Sequence, residues 1–138
     1  MPSSRMERLK TRPQFQAALS GRTLAKTAHF ALHCMPLVAG LHAPLFSLYG
    51  VWLGAMVPKR WARRAVTRNA IKRQIYAVSA EYASQLGVAA HVVRLRSAID
   101  TKQFVSASSV ALKRHIRAEL QHLFERACTV RPESAQGC

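Results

Sequence analysis

Between residues 58 and 76 the chain reads PKRWARRAVTRNAIKRQIY, which places Lys59, Arg60, Arg63, Arg64, Arg68, Lys72 and Arg73 in nineteen residues without one carboxylate. The periodicity that follows this run is helical, and a helix N-terminus already carries partial positive charge that favours Asp or Glu. So many cations there repel the helix end and one another. A polyanion removes the conflict, because each phosphate that meets a cation releases condensed counterions. Asn69, inside the run, can hydrogen-bond either first-turn backbone or a bound polymer. The chemistry on offer is phosphate recognition.

The rest of the chain leans the same way. With 21 Lys and Arg against 6 Asp and Glu in 138 residues, the formal charge is +15, the signature of a protein that meets nucleic acid or an anionic surface. Apart from Glu7, the acids Glu81, Asp100, Glu119, Glu125 and Glu133 all follow position 80, so the positive potential is gathered on one part of the chain. Catalysis by the chain's own side chains is disfavoured. Acid–base chemistry needs a poised pair of groups, two-metal phosphodiester cleavage needs clustered carboxylates, and no P-loop or nucleophile motif is present. His29, His33 and Cys34 suggest a metal site, but strand spacing sets the two histidines two pleats apart, and we expect no protein-bound metal.

A hydrophobic content of 49% is ample for one folded domain. Cys34, Cys128 and Cys138 are odd in number and lack metal or redox spacing, which reads as unpaired thiols in a reducing compartment. The opening MPSSRMERLK has charge without an apolar run behind it, so no secretory signal is expected and the cytoplasm is the default location. The stretch from Met35 to Val57 is uncharged and long enough to cross a bilayer, yet Pro36, Gly40, His42, Pro44, Gly50 and Gly54 interrupt it. Two strands joined by an irregular connection suit it better than a lipid-exposed helix, so no membrane partner is expected.

The elements that must position the cations follow from local signals. Thr11 and Gln14 have capping-box spacing, Pro13 lies in the first turn and Gly21 suits a C-cap, which predicts a first helix with Phe15, Ala18 and Leu19 on one side. HFALHC alternates Phe30, Leu32 and Cys34 against His29, Ala31 and His33, the period of a strand. VWLGAMV reads as a second strand, with Gly54 marking a bend or a close approach. After PKRW, Ile71, Ile75, Val78, Tyr82 and Leu86 form one apolar stripe of a helix while Asn69, Lys72, Arg73 and Tyr76 take the other side. HVVRLR is a further strand, and a final helix runs from about Ser106 to Ala127, with Ser106 or Ser109 as N-cap and Ile116, Leu120, Leu123, Phe124 and Ala127 inward. Residues 1–7 read as a flexible N-terminus, 8–128 as the folded domain and 129–138 as a disordered tail. Helix, strand, strand, helix, strand, helix describes a small two-layer α/β sandwich.

The run AVTRNAIKRQIY closely resembles the signature of the bacterial ribonuclease P protein component. Val66, Arg68, Asn69, Lys72 and Arg73 match its Val-x-Arg-Asn-x-x-Lys-Arg pattern, and Val57, Lys59 and Arg60 match the preceding strand end. The opening RLKTRPQFQAAL and the amphipathic AELQHLF extend the likeness over roughly residues 8 to 127. The resemblance implies a sandwich with a left-handed crossover between parallel strands, similar to domain 2 of ribosomal protein S5 and against the usual hand. It implies binding to a large catalytic RNA and to the 5′ leader of precursor tRNA, with Mg2+ held mainly by the RNA and no catalytic side chain in the protein. RNA contact is then expected from Lys59, Arg60, Arg63, Arg64, Arg68, Asn69, Lys72 and Arg73. The leader cleft is expected at Phe15, Leu19 and His33, with Tyr76 able to stack on a base or ribose. Leu19 stands where a second aromatic is frequent, His33 where Tyr is common, Ala70 where a third basic residue is common and Tyr76 where Arg is frequent.

An architectural or ribosomal RNA-binding protein without a part in cleavage is the other class compatible with this charge. A DNA reader is disfavoured, because the basic helix lacks the short preceding helix and turn of such motifs.

Overall fold

The computed structural model describes residues 6–37, 45–46, 50–99 and 110–130, with side chains to residue 128. Strand β1 is Glu7–Arg8, helix α1 Arg12–Leu19, β2 Arg22–Lys26, β3 Phe30–Pro36, β4 Trp52–Met56, α2 Ala65–Glu81, β5 Ala89–Leu95 and α3 Val110–Val130. The sheet runs β1-β4-β5-β3-β2. β1, β4 and β5 are parallel, and β3 is antiparallel to both β5 and β2. α2 is the crossover between the parallel neighbours β4 and β5.

α1 begins as its local chemistry demands. Thr11 Oγ1 accepts the Gln14 backbone N–H at 3.3 Å while Gln14 Oε1 accepts that of Thr11 at 3.1 Å, so two orphan donors are satisfied reciprocally. Its C-cap is Ser20, and the following Gly21 is demanded by β3 instead. A Cβ there would lie 2.0 Å from the Cys34 carbonyl oxygen.

Strand alternation divides the apolar residues between two faces. Phe30, Leu32 and Cys34 of β3, Leu53 and Ala55 of β4, and Val93 and Leu95 of β5 meet Ile71, Ile75 and Val78 of α2 and Ile116, Leu120, Leu123, Phe124 and Ala127 of α3. That layer is the main core. On the other face, Trp52, Ala90 and Val92 pack beneath α1 with Leu9, Ala18 and Phe46. Tyr82 and Leu86 fall beyond the end of α2, in and just after the turn that leads to β5, and still cover the core.

Gly54 lies beneath α1, where a Cβ would come within 2.5 Å of Phe15 Cε1 and 2.8 Å of Leu9 Cδ1. This is the close approach anticipated at that position. Gly54→Ala is expected to push Phe15 and Leu9 outward and to destabilise the protein by about 1–3 kcal/mol, read from the midpoint of urea unfolding. An unchanged midpoint would show that α1 yields without strain.

Several boundaries differ from the sequence reading. β1 and β2 were not anticipated, and β1 begins at Glu7, inside the segment expected to be flexible. α3 continues to Val130, two residues into the expected tail; residues 131–138, the candidate caps Ser106 and Ser109, and most of the 37–50 connection lie outside the described residues. Cys34 is disulfide-bonded, so the reading of unpaired thiols fails for it. Among the described residues no helix is long and apolar enough to cross a membrane.

Candidate nucleic-acid interface

After β4 the chain turns at Pro58, whose carbonyl accepts the N–H groups of Trp61 and Ala62, both at 3.1 Å. The turn holds Lys59 and Arg60 outward and delivers Arg63 and Arg64, also exposed, to the threshold of α2. Arg64 is the N-cap, and no side chain caps the first turn, which contains no acid. The leading N–H groups of α2 therefore point outward amid cations, an arrangement suited to an anion.

Arg68 has a second occupation. Its Nη1 donates to the carbonyls of Ala62 at 3.1 Å and Arg63 at 2.7 Å, so the half-buried side chain stitches the Pro58–Arg64 approach to the helix. Asn69, Lys72 and Arg73 are exposed on the outer side of α2 while Ile71, Ile75 and Val78 face the core. The described ion pairs are His29–Glu119 and Arg117–Glu81. Neither involves any of the seven cations of residues 58–76.

Asn69, Lys72, Arg73, Gln74, Tyr76 and Ala77 line a groove of about 640 Å³ together with Arg8 from β1. The Arg8 guanidinium lies over the Tyr76 ring, 3.9 Å from its centroid, a cation–π contact. Tyr76 Oη accepts the Ala55 N–H at 3.3 Å, which ties that ring to the sheet. Gln74 Oε1 is buried without a hydrogen-bond partner among the described residues, an acceptor in a groove otherwise dominated by donors. Sequence reasoning missed Arg8 and Gln74. Arg8 arrives by the pairing of a two-residue strand, which has no local signal, whereas Gln74 could have been placed from the helical period next to Arg73.

The expected leader residues divide. Phe15 and Leu19 are partly buried in the cluster beneath α1, and His33 lies on the same face of the sheet. His33 Nε2 accepts from Arg94 Nε at 3.2 Å and Nδ1 donates to Thr23 Oγ1 at 3.2 Å. Burial, then the charges of Arg94 and Lys26, hold its pKa below the ordinary histidine value, so at neutral pH it is an uncharged polar group. Tyr76 is not with them; it belongs to the Arg8 groove on the α2 side. Nor do His29, His33 and Cys34 share a site, since His29 is in the β2–β3 turn while His33 and Cys34 point to opposite faces of β3.

A five-stranded α/β sandwich carrying on its rim a helix whose first turn has no side-chain cap and whose cations form no ion pair among the described residues defines the class of polyanion-binding domains. The chain belongs to the ribonuclease P protein family. The family model described as Ribonuclease P matches residues 3–128. The ribonuclease P protein component of Bordetella parapertussis is 38% identical over 119 residues, covering 86% of this chain and 89% of the relative. That of Paraburkholderia xenovorans is 29% identical over 120 residues, covering 87% and 79%. Among solved structures, the RNase P protein of Staphylococcus aureus superposes with a TM-score of 0.63 at 21% identity, over 87% of this chain and 94% of that one. A second structure of the S. aureus protein gives 0.61 at 20% identity over 93% of both chains. The small mixed α/β fold that the resemblance implied is therefore the fold found, with β1 and β2 completing a five-stranded sheet.

Proposed function

We propose that this chain is the protein component of ribonuclease P, and that residues 8–128 form its RNA-binding domain. It acts with the catalytic RNA on precursor tRNA, and the RNA carries the hydrolytic chemistry. The observation that supports this most is the pairing of family membership with an α2 entrance whose cations have no carboxylate partner among the described residues. Lys59, Arg60, Arg63, Arg64, Lys72 and Arg73 take RNA phosphates, Arg68 divides its donors between the loop carbonyls and RNA, and Asn69 offers an amide beside them. Phe15, Leu19 and His33 form the leader-facing side of α1 and β3. Tyr76 and Arg8 serve the α2 groove instead, where a guanidinium stacked on an aromatic ring presents a flat cationic platform to an unpaired base.

Magnesium belongs to the RNA in this scheme, where it would activate the attacking water and stabilise the leaving oxygen. The basic face suits that division of labour, because Mg2+ prefers oxygen ligands and the only acid before residue 80 is Glu7. The protein's part is to lower the charge of the assembled RNA and to position the leader.

Reconstitution tests the proposal. Added to a ribonuclease P RNA at physiological magnesium, the protein is expected to restore cleavage of precursor tRNA at the mature 5′ end. A protein that coats RNA without stimulating cleavage, or that cuts precursor without the RNA, would overturn it.

A further inference from the structure

Far from the α2 cations in sequence, the turn between β2 and β3 is fastened to α3 by a cluster of polar side chains. Glu119 Oε2 accepts from the Thr27 hydroxyl at 2.6 Å and from the His29 backbone N–H at 2.7 Å. Its Oε1 accepts from His29 Nδ1 at 2.8 Å. His115 stands one helical turn before Glu119, with its ring edge-on to that of His29 and the centroids 6.0 Å apart. One nitrogen from each imidazole and one carboxylate oxygen lie within 4.8 Å of one another.

We propose that His29, His115 and Glu119 form a binding site for a borderline divalent transition-metal ion of the Zn2+ type, which clamps the β2–β3 turn to α3. Two imidazoles and a carboxylate are a recognised three-ligand set for such an ion, leaving one position for water. The nitrogen majority selects against Mg2+ and Ca2+, which require oxygen shells. Metal–ligand bonds of about 2.0–2.2 Å place tetrahedral ligands about 3.4 Å apart. His29 and Glu119 are already closer than that, and rotation of the exposed His115 side chain supplies the remaining approach.

The surroundings favour a preorganised ligand. Thr27 and the His29 N–H orient the carboxylate through the oxygen that faces the turn, the kind of outer support that metal-binding carboxylates receive. The backbone of the turn is secured separately. The Ala28 carbonyl accepts from Arg96 Nη1 at 3.1 Å and Ser97 Oγ at 3.0 Å, and the Lys26 carbonyl accepts from Arg126 Nη1 at 3.1 Å. Arg96 and Arg126, which hold the backbone of the turn, carry positive charge that opposes a cation bound beside it.

The full-length protein, stripped with chelator and titrated with ZnCl2 and CoCl2, tests this site without any RNA. Expected are a rise in melting temperature with Zn2+ and visible d–d bands of low-coordinate Co2+ lacking thiolate charge-transfer absorption. His115→Ala should weaken binding by roughly tenfold or more, and Thr27→Val should weaken it roughly 10- to 100-fold through loss of outer support. No Zn2+ stabilisation of the native protein, an affinity unaltered by His115→Ala, or a thiolate signature in the Co2+ spectrum would each overturn the proposal.

Discussion

Replacing Arg63, Arg64, Lys72 and Arg73 together by alanine is expected to lower affinity for ribonuclease P RNA steeply and to flatten its salt dependence. Each phosphate contact contributes about 0.7–0.9 to the slope of log K against log salt, so removal of all four reduces the slope by about 3. Binding curves at several potassium concentrations measure it directly. The four side chains are exposed and none forms an ion pair with a described residue, so the melting temperature should barely move; surface changes of this kind usually stay within about 0.5 kcal/mol each. Arg68 is left in place deliberately. Its guanidinium holds the carbonyls of Ala62 and Arg63, and its loss would mix a folding defect into a binding measurement. An unchanged slope in the quadruple variant would remove α2 as the RNA-contacting surface.

The largest effect on folding is expected at Leu120. It is fully buried in α3 between Ile116 and Leu123, within the core shared with α2 and the sheet. Leu120→Ala should cost about 2–5 kcal/mol, transfer and cavity terms together. That is a large fraction of the roughly 5–15 kcal/mol that holds most domains together. Urea unfolding followed by circular dichroism gives the value, and His122→Ala, exposed on the same helix, is the control with little expected change. If Leu120→Ala matched that control, α3 would not be the lid of the core.

What was legible in the sequence follows from the range of the interactions concerned. The capping box of Thr11 and Gln14 spans three residues and appears as read. The inward positions of α2 and α3 are set by helical period and the desolvation of apolar side chains, and Ile71, Ile75, Val78, Leu120 and Phe124 are all fully buried. Alternation likewise placed Phe30, Leu32 and Cys34 on one face of β3. The cationic character of residues 58–76 needed no fold at all, because charge is a property of the residues themselves.

β1 and β2 were not visible because they are edge strands. Glu7–Arg8 has too few residues to show a period, and RTLAK is largely exposed; their hydrogen-bonding partners are β4 and β3, and without those neighbours neither segment has a reason to be extended. The same dependence governs the sites. Tyr76 was expected with the leader residues, and only the parallel pairing of Glu7 with Trp52 and Arg8 with Leu53 brings the Arg8 guanidinium onto its ring. The division of Phe15, Leu19 and His33 from Tyr76 is a decision of the sheet, which places α1 and α2 on opposite faces. His29 and Glu119 are 90 residues apart, and no local rule connects them. The amino-acid order by itself determined which segments are cationic, which faces are apolar and where α1 begins, since those depend on neighbours a turn away; the tertiary structure alone decided which cation meets which ring and which carboxylate meets which histidine, since contacts between distant segments exist only after the sheet has set their register.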